Sequence, residues 1–169
     1  MELLEHVTDY LKEHQLKLAT AESCTAGLIV SELASVPGSG ESIDCGLAVY
    51  SPEAKNRYLS VSFDTIEKYG LTSEETSREL AKGALDKNDA NVAVANTGVA
   101  GPESMDDIPA GTVCFAWAFR HDQKVYLITE TRHFSGGRND VRLAAAHYAL
   151  ECIPKHHRDV LEGNAPLDK

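Results

Sequence analysis

The sequence predicts an α/β fold: a single three-layer domain with a mixed central sheet flanked by helices. Three observations lead there. Short apolar stretches of strand length alternate with segments of helical periodicity. The last two strand-like stretches are too close for anything but a hairpin, which makes the sheet mixed. With 169 residues and a hydrophobic fraction of 43%, the chain can bury one ordinary core.

The elements follow in order. Leu3, Leu4, Val7, Tyr10 and Leu11 recur at helical spacing, so an amphipathic helix opens the chain. Lys17 to Ala21 reads as a short buried strand, and Ala26 to Leu33 as a helix stopped by the turn cluster Pro37-Gly38-Ser39-Gly40. Cys45 to Tyr50 gives the second strand. A helix starts from about Pro52, since a proline loses nothing in the first turn. Thr72 and Glu75 have capping-box spacing and predict a helix to about Leu85. Asn91 to Asn96 is the third strand, running into Thr97-Gly98-Val99-Ala100-Gly101-Pro102. Gly111 to Phe119 and Lys124 to Phe134 pair through His121-Asp122-Gln123, and a last helix runs from about Gly137 to Cys152. The domain is thus expected over 1–152, with 153–169 as a polar, flexible tail.

Composition narrows the partners. Met1 to His14 alternates acidic and apolar positions instead of forming a secretory signal, and no apolar run approaches the roughly 20 residues that span a bilayer. A cytoplasmic setting without a membrane partner is expected. Cys24, Cys45, Cys114 and Cys152 are scattered, which predicts free thiols and neither a disulfide framework nor a zinc site. A formal charge of −10 argues against nucleic acid, but a few arginines can still build a local anion site.

Three polar segments, after Ala21, Val49 and Asn96, fall at the carboxyl ends of strands, where open α/β sheets bind ligands. In the first, Ser23 and Thr25 are either a nucleophile and its neighbour or simple caps at a helix start. There, helix-start amides could hold an oxyanion. Cys24 competes as a thiol nucleophile, although packing is the preferred role. In the second, Lys55 is either a desolvated base or a solvated lysine, and Tyr50 either a proton donor or core filling. In the third, Gly98 and Gly101 permit close backbone approach to a ligand. Arg138 and Arg142 lie on one helix face and could clamp a phosphate or pair with surface carboxylates. Asp106 and Asp107 lack further ligands and are assigned no metal; the seven histidines show no triad or metal spacing.

Taken together, Thr20-Ala21-Glu22-Ser23-Cys24-Thr25-Ala26-Gly27, Val36-Pro37-Gly38-Ser39, Tyr50-Ser51-Pro52-Glu53-Ala54-Lys55, Thr97-Gly98-Val99-Ala100-Gly101-Pro102 and Pro109-Ala110-Gly111-Thr112-Val113 resemble the CinA C-terminal domain family. The resemblance runs from about Leu3 to Cys152 and is similar to the stand-alone nicotinamide mononucleotide deamidases. It implies hydrolysis of a nucleotide carboxamide to the acid and ammonia, without metal or other cofactor, by a homodimer or higher homo-oligomer. It also implies Ser23 as nucleophile, Lys55 as its base and Tyr50 in support, with Thr25, Thr97, Gly98, Gly101, Arg138 and Arg142 around the substrate. The chain departs from the family pattern at Ala26, where glycine is usual, in Asp44-Cys45-Gly46, and in Glu103 to Ile108, where a glycine-rich stretch is common. Two other readings of the same residues are a nucleotide-binding regulatory module that turns over nothing and a hydrolase of another small amide.

Overall fold

The computed structural model describes residues 1–169. It opens with α1 (Glu2–Glu13), β1 (Leu18–Glu22) and α2 (Leu28–Ala34). A 3₁₀ turn (Ser39–Ser42) leads into β2 (Ile43–Ala48), α3 (Pro52–Leu59), α4 (Phe63–Tyr69) and α5 (Glu74–Asp86). The chain closes with β3 (Val92–Gly98), the hairpin of β4 (Thr112–His121) and β5 (Lys124–His133), and α6 (Arg138–Leu161). The strands form one sheet in the order β2-β1-β3-β4-β5, with β1 parallel to both neighbours and the last two strands antiparallel. The predicted mixed α/β sheet is therefore the one observed.

Side-chain alternation along the strands sets the layers. Leu18, Val92, Val94, Val113, Phe115, Trp117 and Phe119 point toward α1, α2 and α6 and form a large, aromatic-rich core. The intervening positions, Ala19, Ala21, Ala93, Ala95, Ala116 and Ala118, point the other way, against Leu80, Ala81, Ala84 and Leu85 of α5. Alanine on that face lets α5 lie close to the sheet. Gly83 extends the same logic outward, because a Cβ there would overlap the Leu59 carbonyl oxygen at the end of α3.

Four sequence expectations need correction. The N-cap of α5 is Ser73, whose hydroxyl accepts from the Thr76 amide, so the capping signal sits one residue after Thr72. The polar segment before it holds an additional helix, α4, capped by Ser62 and carrying no buried residue. Its apolar stripe, Phe63, Ile66 and Tyr69, spans only seven residues and is too short to mark a helix from the sequence. Finally, α6 does not stop at Cys152 but passes through Pro154 to Leu161. An interior proline costs about 3 kcal/mol, and here burial of Ile153, His157 and Val160 offsets it, with His157 Nδ1 lying 3.0 Å from the Tyr10 hydroxyl. The tail read as loose is also packed: Leu167 bridges to Tyr126, and Asp168 pairs with Arg78 at 2.8 Å and Lys82 at 2.7 Å.

Candidate active site

Parallel β1 and β3, with β2 beside them, bring three loops to one edge of the sheet. The first is a turn over 23–27 between β1 and α2. Glu22, the last residue of β1, has no exposed surface. Its carboxylate accepts from the Thr20 and Thr25 hydroxyls at 2.9 and 2.7 Å, and from the amides of Gly27, Ile29 and Val30 at 3.2, 2.8 and 3.2 Å. Five donors replace the water that a buried carboxylate loses. The turn itself needs left-handed backbone, with φ of 50° at Ala26 and 99° at Gly27. That explains why glycine would suit position 26 as well.

Asn96 of β3 holds the turn from beside it. Its carbonyl accepts from the Ser23 amide at 3.2 Å, its side-chain amide donates to Thr25 Oγ1 at 2.9 Å, and its Oδ1 lies 3.4 Å from Cys24 Sγ. Burial pushes the Cys24 thiol up to about 12. A thiol so protonated makes a poor nucleophile.

Lys55 arrives from the first turns of α3, whose start is fixed by the Ser51 cap and by Pro52. The lysine is 1% exposed. Its Nζ lies 2.9 Å from Ser23 Oγ, 2.9 Å from the Val49 carbonyl and 2.6 Å from the Tyr50 carbonyl. Desolvation lowers its pKa to about 8. A neutral amine has two hydrogens, one for each carbonyl, which leaves its lone pair for the Ser23 hydroxyl.

These groups border a cavity of about 110 Å³ that also reaches Tyr50, Leu71, Thr72, Thr97, Gly98 and Met105. Larger depressions on the surface lie elsewhere and contain none of the Ser23–Lys55 pair; the small one is where the chemistry can occur. Met105 is 60% exposed and belongs to a two-residue hairpin in which Met105 and Ile108 exchange backbone hydrogen bonds of 3.1 and 2.9 Å. Its tip, Asp106 and Asp107, has φ of 52° and 60°.

The sequence-derived residues divide as follows. Ser23, Lys55, Thr97 and Gly98 meet at the cavity. Tyr50 meets them too, but it does not fill the core: it is 58% exposed, and its hydroxyl accepts from Arg138 Nη2 at 3.2 Å. Arg138 also donates to the Gly101 carbonyl at 2.6 Å; neither residue lines the cavity, and they connect to it only through Tyr50. Thr25 does not line the cavity: its fully enclosed hydroxyl is committed to Glu22 and Asn96. Nor does Arg142 stand beside Arg138 as a second phosphate clamp. It donates to the Cys24 carbonyl at 3.0 Å and the Thr25 carbonyl at 3.2 Å.

The oxyanion expectation changes as well. Glu22 takes the amides of Gly27, Ile29 and Val30, and the Thr25 carbonyl takes that of Leu28, so the start of α2 is already occupied. Among the amides beside the cavity that have no protein acceptor is that of Cys24, directly after Ser23. Glu22, Asn96 and Met105 were missed as site residues. Glu22 alone had a visible signal, an acid ending an apolar strand. No three His, Cys, Asp or Glu side chains are arranged to share a metal ion, and no helix is long and apolar enough to cross a membrane.

Comparison with known proteins matches residues 1–156 to the family model described as the CinA C-terminal domain. Protein YdeJ of Escherichia coli (strain K12) is 37% identical over 152 residues, covering 87% of this chain and 86% of that protein. A CinA-like protein of Chloroherpeton thalassium is 44% identical over 119 residues, 70% of this chain but 28% of that protein. A CinA-like protein of Chlorobium phaeobacteroides is 39% identical over 155 residues, 90% of this chain and 37% of that protein. The chain thus spans well under half of these two longer relatives. Among solved structures, competence damage-inducible protein A (ComA) from Klebsiella pneumoniae superimposes with a TM-score of 0.87 at 34% identity, covering 93% of this chain and 96% of that one. The competence/damage inducible protein CihA from Agrobacterium tumefaciens gives 0.84 at 35% identity, with 92% and 94% covered.

Proposed function

This chain belongs to the CinA C-terminal domain family, and we propose that it is a serine amidohydrolase acting on the carboxamide of nicotinamide mononucleotide. One observation carries the reading: the enclosed Lys55 Nζ, pinned by two carbonyls, lies 2.9 Å from Ser23 Oγ. In its neutral form Lys55 takes the hydroxyl proton as Ser23 Oγ attacks the amide carbon. The oxyanion that forms is within reach of the Cys24 amide. Lys55 returns the proton to the departing nitrogen, ammonia leaves, and a water deprotonated by Lys55 hydrolyses the ester, giving nicotinic acid mononucleotide and restoring Ser23.

The dimensions support a long ligand only partly enclosed. A cavity of about 110 Å³ holds the carboxamide end and leaves the rest of the nucleotide along the rim. Arg138 stands on that rim with two of its five N–H donors engaged, which leaves donors for a phosphate.

The test is a panel of small amides, nicotinamide mononucleotide among them, assayed for ammonia release alongside direct binding. The expected result is release from the mononucleotide that is lost in Ser23→Ala and largely kept in Cys24→Ala. Binding without release would leave the regulatory-module reading in its place; release undiminished in Ser23→Ala would exclude the serine mechanism.

A further inference from the structure

We propose that Glu22 and Arg142 form a two-pole clamp on the nucleophile turn, the carboxylate holding its N–H side and the guanidinium its C=O side. Both are positioning residues, and the inference rests on the role of Ser23 given above.

The two charges are not partners of each other; no ion pair joins them, and the turn lies between them. Glu22 is fully enclosed and acts only as an acceptor, from three amides and two hydroxyls. Its three amides all belong to Gly27 and the first turn of α2, so the favourable charge at that helix start is spent on the protein's own carboxylate and not on a ligand. Thr25 carries the restraint back into the turn, because its hydroxyl donates to Glu22.

Arg142 does the complementary work from α6. Its Nε and Nη2 reach the carbonyls of Cys24 and Thr25, the two residues after the nucleophile, and its Nη1 donates to Asn139 Oδ1 at 3.1 Å. A fork geometry suits two adjacent carbonyls, and a lysine would span them less well. With the Cys24 and Thr25 carbonyls held by Arg142, and the Thr25 hydroxyl and Gly27 amide held by Glu22, the turn that follows Ser23 is fixed by charged groups at both poles. Misplacing a reacting group by about 1 Å can cost roughly a hundredfold in rate.

The experiment compares wild type, Arg142→Met, Arg142→Lys and Glu22→Gln as full-length chains. Three readouts are taken: kcat and KM with nicotinamide mononucleotide and with nicotinamide riboside, the rate at which phenylmethylsulfonyl fluoride modifies Ser23, and a thermal melt. For Arg142→Met the expected result is a kcat loss of about a hundredfold, equal for both compounds, with KM within about twofold and sulfonylation slowed in parallel. Arg142→Lys should recover part of the rate. Glu22→Gln places an N–H pair among donors and should slow sulfonylation likewise; if it does not fold, the Arg142 variants decide alone. A rise in KM confined to the phosphorylated compound would make Arg142 a substrate ligand and overturn the clamp. So would unchanged sulfonylation in a folded Arg142→Met. If wild type is sulfonylated at Ser23 yet releases no ammonia, the substrate reading fails while the clamp is still judged by the labelling rates; a wild type that does neither overturns both.

Discussion

The loops after β1 and β3 meet at one cavity and are built in opposite ways. After β1, Ser23, Cys24 and Thr25 are buried, and the Ser23 amide, the Cys24 and Thr25 carbonyls, the Thr25 hydroxyl and the Gly27 amide are tied to Glu22, Asn96 or Arg142. After β3, the chain runs from enclosed Thr97 into an exposed hairpin, where Met105 faces the cavity and two aspartates form the tip. The proposed mechanism puts the chemistry that depends on tenths of an ångström on the anchored side, and contacts that need only complement a ligand on the solvated side. Lys55 and Arg138 repeat the contrast, one enclosed and pinned, the other exposed on the rim.

The largest effect should come from breaking the anchored side at Lys55. Lys55→Arg keeps a cation that does not deprotonate, and ammonia release should fall by about 10²–10⁴. In the proposed mechanism, the base is the neutral amine. Turnover should therefore rise about tenfold per pH unit below the lysine's pKa of about 8 and level off above it. A profile flat between pH 6 and 9, or a fully active Lys55→Arg, would remove Lys55 from proton transfer.

The rim should respond more mildly and more selectively. Losing a charge-assisted phosphate contact costs roughly 1.5–3 kcal/mol, so Arg138→Ala should cut the preference for nicotinamide mononucleotide over its riboside by about one to two orders of magnitude. Equal losses for both compounds would show that Arg138 supports Tyr50 and Gly101 instead of reading a phosphate.

The smallest effect concerns backbone strain on the two sides. Alanine pays more than aspartate for left-handed backbone, so Ala26→Gly should stabilise the fold by about 0.5–1 kcal/mol and Asp107→Gly by less. Thermal melts would rank them. A lower midpoint for Ala26→Gly would mean that the methyl group, not the backbone, matters at that position.

The alternation of apolar strands and periodic helices carried enough information to give the layers, the mixed sheet and the three loops at one edge. Residues whose role depends on what lies beside them in space were harder. Lys55 reads as an ordinary surface lysine until Val49 and Tyr50 fold over it. Arg142 and Arg138 look alike at helical spacing, yet one turns inward to Cys24 and the other to the rim. Asn96 ends a strand like any polar residue, and only the parallel register with Glu22 brings it to the turn. At α6, proline is a strong local stop signal, but packing against α1 and β4 prevailed.

The close approach of Gly83 to Leu59 reaches further than its place in the fold implies. Leu59 and Lys55 are carried by the same helix, α3, so a methyl group at position 83 would push on the support of the Lys55 amine. Its hydrogen bond to Ser23 spans 2.9 Å, and a helix displaced by one ångström would break it. The mutational target of the proposed reaction therefore extends beyond the cleft, to a single hydrogen atom on the far side of α3. A lineage changing that residue would meet its cost in turnover as well as in folding.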